Sequence, residues 1–163
     1  MTVQITTDGS GGARGPGGWA AVLRWGGQVK EISGGADEAT NNTMELMAAI
    51  MALHALKKPC GVELTTDSEY LANGACIWLP IWKRNHWRTK SGDEVRNRQY
   101  WEILDRLLSR HRVEWIWVKG HSGHVDNERA DQLAGVARLR RKAELELLRS
   151  QVERVQESQR EAA

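Results

Sequence analysis

Two stretches of this chain end alike. VQITTD (3–8) and VELTTD (62–67) both start as short runs of alternating character and close on Thr-Thr-Asp. Branched residues suit a pleated backbone and aspartate does not, so each run predicts a strand that stops with a carboxylate at its tip. Two more acids stand out in the same way. Glu45 interrupts the apolar run NNTMELMAAIMALHAL, and Asp131 follows GHSGHVDNERA at the head of another helix. A fold that sets the two strand tips side by side, with the two helices over them, gathers four carboxylates. Hard divalent cations such as Mg²⁺ prefer oxygen ligands, and a pair of them can clamp both sides of an in-line phosphoryl displacement.

The rest of the chain is consistent with such a fold. A strand is predicted over 3–7, then a glycine-rich turn, GSGGARGPGG. The runs WAAVLRW (19–25) and QVKEISG (28–34) flank Gly26-Gly27, a two-residue hairpin signal. Asn41 or Asn42 is the predicted N-cap of a helix with apolar positions 46, 47, 50, 53 and 56, and Pro59 ends it. A strand at 62–67 is followed by a helix beginning at SEYLANGA. Residues 77–98 read as irregular, and 98–111 (RQYWEILDRLLSRH) as an amphipathic helix. The strand VEWIWVKG (113–120), a loop and a helix from about 126 close the order. That order implies a mixed α/β sheet flanked by helices. No internal repeat is present.

Formal charge is +2 over 163 residues, which by itself points to no partner. Its distribution is more telling. Residues 138–163 hold seven Arg/Lys against five Glu, and the body before them is neutral. Within the body, 83–98 carries Lys83, Arg84, Arg88, Lys90, Arg96 and Arg98 against Asp93 and Glu94, a net +4 that leaves the remainder at −4. A basic patch therefore faces an acidic remainder that contains all four carboxylates. The two cysteines, Cys60 and Cys76, suggest neither a disulfide framework nor a zinc spacing. No signal segment or apolar run of spanning length is present, so the expectation is a soluble, cytoplasmic protein that does not enter the membrane.

Four motifs, TDGS (7–10), TNNTMELMAAI (40–50), TTDSEY (65–70) and VKGHSGHVDNERADQLA (118–134), resemble in order and spacing those of bacterial ribonuclease H of type one. The likeness covers about residues 3–137. It implies a ribonuclease-H-like sheet of five strands, three antiparallel and two parallel to the first, with helices on both faces. It also implies a catalytic domain over 1–137 with a basic handle at about 78–101. The activity implied is metal-dependent endonucleolytic hydrolysis of the RNA strand of RNA/DNA hybrids, leaving 5′-phosphate and 3′-hydroxyl ends. The family's metal-binding acids fall on Asp8, Glu45, Asp67 and Asp131. They imply two Mg²⁺ ions, with Mn²⁺ as a substitute: one ion to activate the attacking water and one to stabilise the leaving 3′ oxygen.

His121 falls on the family's mobile histidine, and an imidazole exchanges protons near neutral pH. Thr40 matches a residue of a pocket for a DNA phosphate. Asn41 and Asn42 fall where the hybrid's minor groove is met, and RNA is told from DNA there by its 2′-hydroxyls. In the handle, Lys83, Arg84 and Arg88 are candidates for DNA-strand phosphates, and Trp82 and Trp87 for packing or a deoxyribose contact. Trp78 and Trp101 are expected in the core. Trp19, Trp25, Trp115 and Trp117 are expected to pack on strands.

The chain also departs from the family pattern. The first loop is one residue short, and Arg14 or Ala13 stands where an asparagine is common; Arg14 is a candidate electrostatic replacement. Glu69 follows Asp67-Ser68 where glutamine is frequent, and an ionised glutamate cannot donate a hydrogen bond to substrate. Thr43 replaces a common arginine. The pair His121/His124 lacks the further ligands of a zinc site, and His124 is expected to fix the loop by hydrogen bonding. The tail, 138–163, lies outside the resemblance. Leu145, Leu148, Val152 and Val155 keep a heptad spacing for about two heptads, too few for a coiled coil, so a helical extension of the last domain helix is expected, on a monomer. A catalytically dead hybrid-binding protein and another two-metal nuclease or strand-transfer enzyme are the competing readings.

Overall fold

Strand β1 (Thr2–Ser10) is the axis of the molecule, which the computed structural model describes from Met1 to Ala163. It pairs antiparallel with β2 (Gly15–Trp25), and β2 pairs antiparallel with β3 (Gln28–Ala39) across the turn at Gly26-Gly27. On its other side β1 pairs parallel with β4 (Gly61–Thr66), and β4 pairs parallel with β5 (Arg112–Trp117). The five-stranded order is β3-β2-β1-β4-β5, the arrangement expected from the resemblance. The helices are α1 (Asn41–His54), α2 (Glu69–Asn73), α3 (Leu79–Arg84), α4 (Arg98–Arg110) and α5 (Val125–Ala162).

Strand alternation assigns the two faces. Val3, Ile5, Ala21 and Leu23 are buried with Leu46 and Leu53 of α1, Leu71 of α2, and Trp101 and Leu104 of α4 in the main core. On the opposite face, Ala20 and Val22 are buried where the small residues Ala130, Ala134 and Ala137 of α5 come down on the sheet. Two glycines set how closely these helices approach. A Cβ on Gly9 would lie 2.5 Å from the backbone nitrogen of Glu45, and one on Gly18 would lie 2.2 Å from the carbonyl oxygen of Ala134. Only glycine permits such contact between backbones, and the first of the two brings Glu45 to the tip of β1.

Several local expectations are corrected. The glycine-rich segment is largely strand: β1 runs through Ser10, β2 begins at Gly15, and only 11–14 turn. Residues 77–84 are helical, because α2 passes through a π-helical turn (Gly74–Trp78) into α3, and irregular chain begins only after Arg84. Neither Asn41 nor Asn42 caps α1. Thr40 does, its hydroxyl accepting from the Thr43 N–H at 3.1 Å while the Thr43 hydroxyl accepts from the Thr40 N–H at 2.9 Å. This reciprocal cap gives Thr43 a structural use in place of the arginine. Trp101 is fully buried, but Trp78 is 48% exposed because the π-helical turn rotates it off the core face. Trp117 is also 48% exposed, on the last residue of an edge strand.

Helix α5 is 38 residues long. Its first half lies on the sheet, tied by Asp126 to Arg24, Arg129 to Glu31 and Arg141 to Asp37. Beyond Leu145 every residue is exposed, including Leu147, Leu148, Val152 and Val155. No helix is long and apolar enough to cross a membrane.

Candidate active site

Parallel pairing of β1 and β4 puts their C-terminal ends together, so Asp8 and Asp67 stand at one end of adjacent central strands. Glu45 reaches the same place from the second turn of α1. One carboxylate oxygen from each of Asp8, Glu45 and Asp67 lies within 4.8 Å of the other two. Asp8 is 4% exposed and Glu45 2%. Asp131, in the second turn of α5, is exposed and stands outside this tight group of three, close enough to Asp8 to act on its carboxyl.

Like charges this close, with little water, hold protons. Burial pushes the Asp8 carboxyl up first, the Asp67 charge next, and Asp131 adds to the rise. Glu45 is pushed up by its burial and then by the Asp8 charge. Its Oε2 is buried without a hydrogen-bond partner. A buried, unpartnered carboxylate oxygen is costly, and here it belongs to an all-oxygen donor set of the kind that suits a hard cation. The residues fit a divalent metal on both counts.

Two side chains from neighbouring elements fix Asp67. Asn127, 2% exposed, donates from Nδ2 to Asp67 Oδ2 at 3.3 Å, and Trp117 donates its indole N–H to the Asp67 carbonyl at 3.1 Å. Neither residue is expected at the site from sequence: Trp117 reads as a packing residue, and Asn127 is assigned no role. Asn127 had a signal, being the polar member of the buried helical stripe 127-130-134-137; Trp117 had none. His124 caps α5, its Nδ1 accepting from the Asn127 N–H at 3.1 Å, which is the loop-fixing role expected of it. His121 is exposed on the loop between β5 and α5, with a left-handed backbone (φ 55°).

The other candidates divide into free and engaged. Asn41 and Asn42 are exposed, with side chains that take no part in the cap, while the Thr40 hydroxyl is used by it. Arg14 is exposed at the turn between β1 and β2. Glu69, the first residue of α2, lines a cleft of about 480 Å³ with Tyr70, Asn73, Gly74, Trp78 and Trp82. Trp82 packs edge-on against Trp101 with centroids 5.3 Å apart, and Arg98 lies 5.9 Å over the Trp87 ring. Lys83 pairs with Asp105, Arg98 with Glu94 and Glu102, and Arg88 donates to the Gly92 carbonyl. Arg84, Arg88, Lys90 and Arg96 are exposed without a carboxylate partner, so they carry the free charge of the basic patch.

The family model for RNase H matches residues 1–138. The chain belongs to the ribonuclease H family. It is 56% identical over 133 residues to a ribonuclease H of Mesorhizobium japonicum, covering 81% of this chain and 75% of that one. Among solved structures it is similar to LC9-RNase H1, a type 1 RNase H with the type 2 active-site motif. That likeness has 32% identity and a TM-score of 0.74, over 84% of this chain and 72% of that one. The fold is shared with a foamy viral protease-reverse transcriptase in complex with an RNA/DNA hybrid. There the TM-score is 0.72 at 19% identity, over 83% of this chain and 20% of that one. Family membership makes this chain a nuclease of the ribonuclease H class.

Proposed function

We propose that this ribonuclease H cuts the RNA strand of RNA/DNA hybrids internally, leaving 5′-phosphate and 3′-hydroxyl ends, with two Mg²⁺ held by Asp8, Glu45, Asp67 and Asp131. The reading rests on one observation: three carboxylates within 4.8 Å of one another, one with an unpartnered buried oxygen, in a chain of this family. Bound there, the ions would supply water activation and charge neutralisation at the phosphate, and Mn²⁺ would substitute for them.

The remaining work belongs to the protein. Asn127 and Trp117 hold Asp67 from two sides, so its carboxylate is aimed before anything binds. Glu45 is held rigidly by the close approach of α1 to β1. His121, on an exposed loop beside the acids, is placed to carry a proton to or from the reacting groups. Asn41 and Asn42 offer free amides to the 2′-hydroxyls that distinguish RNA. The free cations of the handle, with Trp78 and Trp82 along the cleft, take the DNA strand. Recognition through backbone and groove gives little base preference. The catalytic unit is residues 1–137, with 138–163 as an appendage, and the enzyme acts as a monomer in the cytoplasm on RNA primers and R-loops.

The test is cleavage of an end-labelled RNA/DNA hybrid with Mg²⁺, beside double-stranded DNA, double-stranded RNA and single-stranded RNA, with Asp8→Asn as control. Internal cuts in the hybrid's RNA only, lost in the variant, are expected. Salt-sensitive binding without cleavage would overturn the reading in favour of a dead binder.

A further inference from the structure

The arginines along the α5–sheet interface are not alike. Arg24, Arg129 and Arg141 each meet a carboxylate: Asp126, Glu31 and Asp37. Arg138, half-buried in the same interface, meets none; its only partner is a hydroxyl, Ser10 Oγ, at 3.5 Å from Nη1. Its Nη2 lies 3.0 Å from where a Cβ on Gly12 would stand, so the guanidinium is laid against the β1–β2 loop. A half-desolvated guanidinium without a counter-ion is costly to hold, and its planar fork matches the oxygens of a phosphate.

The position suits an anion that arrives with the substrate. Arg138 follows Asp131 by seven residues on one helix, so the two share a face and are separated by about 10 Å along the axis. Ser10 is two residues beyond Asp8 on β1 and on the same side of the sheet. The Ser10 hydroxyl, accepting from Arg138, keeps its own proton to donate. Gly11, Gly12 and Ala13 put no large side chain between this corner and an incoming strand.

We propose that Arg138 and Ser10 form a seat for a backbone phosphate of the substrate on the α5 side of the acid cluster, flanking the shortened loop. The proposal rests on the reading of the substrate as an RNA/DNA hybrid.

The experiment measures binding of a labelled RNA/DNA hybrid to the full chain as salt is raised from about 50 to about 200 mM, in a cleavage-silent Asp8→Asn background. Arg138→Ala is expected to bind more weakly at low salt. One lost phosphate contact lowers the log–log salt slope by about 1, so the deficit should shrink about 3.5-fold over that range. Arg138→Lys should keep the slope, and Arg140→Ala, which removes an exposed guanidinium two residues on and so on the opposite face of α5, should leave slope and affinity unchanged. In the active protein Arg138→Ala should raise KM and hold kcat within about twofold. An unchanged slope in Arg138→Ala overturns the seat, as does an equal loss in Arg140→Ala or a fall in melting temperature alone. Cleavage of the hybrid by the unsubstituted protein tests the substrate reading separately, so the two failures are distinguishable.

Discussion

Removing a carboxylate from the acid cluster should stabilise this protein when no divalent ion is present. The Asp8 carboxyl is pushed from an ordinary 3.8 up to about 7, by burial first and the Asp67 charge second. The sign follows from proton binding. Above the ordinary value the unfolded chain gives up the Asp8 proton and the folded chain keeps it, so stability is lost as pH rises and the loss is complete above the folded value. Each tenfold change in proton affinity is worth about 1.4 kcal/mol, so the ionised Asp8 costs about 4 kcal/mol near pH 8. Glu45 shares the same repulsion, which counts once for the cluster, and an asparagine recovers only the charge-dependent part. The expected gain for Asp8→Asn is therefore about 2–4 kcal/mol, or roughly 5–15 °C in Tm at 2–4 °C per kcal/mol. The assay is thermal unfolding with a chelator at about pH 8 and about pH 4.5, where the gain should largely vanish. A variant that melts at or below the parent at the higher pH refutes the reasoning, and so does one whose gain is the same at both.

Two further changes test neighbours of the cluster. Asn127→Ala removes the side chain that aims Asp67 and should lower kcat by about 10–100-fold, as loss of an outer-shell partner does, with hybrid affinity little changed; an equal loss of affinity would show Asn127 acting on substrate instead. Glu69→Gln replaces an exposed negative charge in the cleft beside the acids by a hydrogen-bond donor. It should tighten hybrid binding or lower the Mg²⁺ needed for half-maximal activity by roughly threefold to tenfold, and unchanged titrations of both kinds would sink that idea.

The features legible in sequence are those with a local cause. Asp8 and Asp67 announce themselves because an acid that ends a β-branched run has few other uses, and the strand order then brings them together. The Gly26-Gly27 hairpin and the amphipathic helix at 98–110 are visible for the same reason. What escaped depends on contacts between distant segments. Trp78 looks like a core residue until the π-helical turn rotates it outward, and Trp117 looks like packing until its indole N–H meets the Asp67 carbonyl. Thr40 competed with two asparagines for the cap and won because Thr43 closes the pair from the other side. Lys83 and Arg98 counted toward a basic patch on paper, but Asp105 on α4 and the flanking glutamates neutralise them.

The bare half of α5 inherits something from the half that is docked. Starting a helix in water is the unfavourable step and lengthening one is nearly free. Here the start is made where Ala130, Ala134 and Ala137 sit on the sheet, so the roughly 30 Å that project beyond Lys142 need only be propagated. Such a rod melts from its tip inward like a fuse, and it stops at Arg141, where the ion pair with Asp37 pins the helix to the body. A protease should therefore shorten the chain in small steps from the C-terminus and halt near that residue, leaving the carboxylate cluster and its supports untouched.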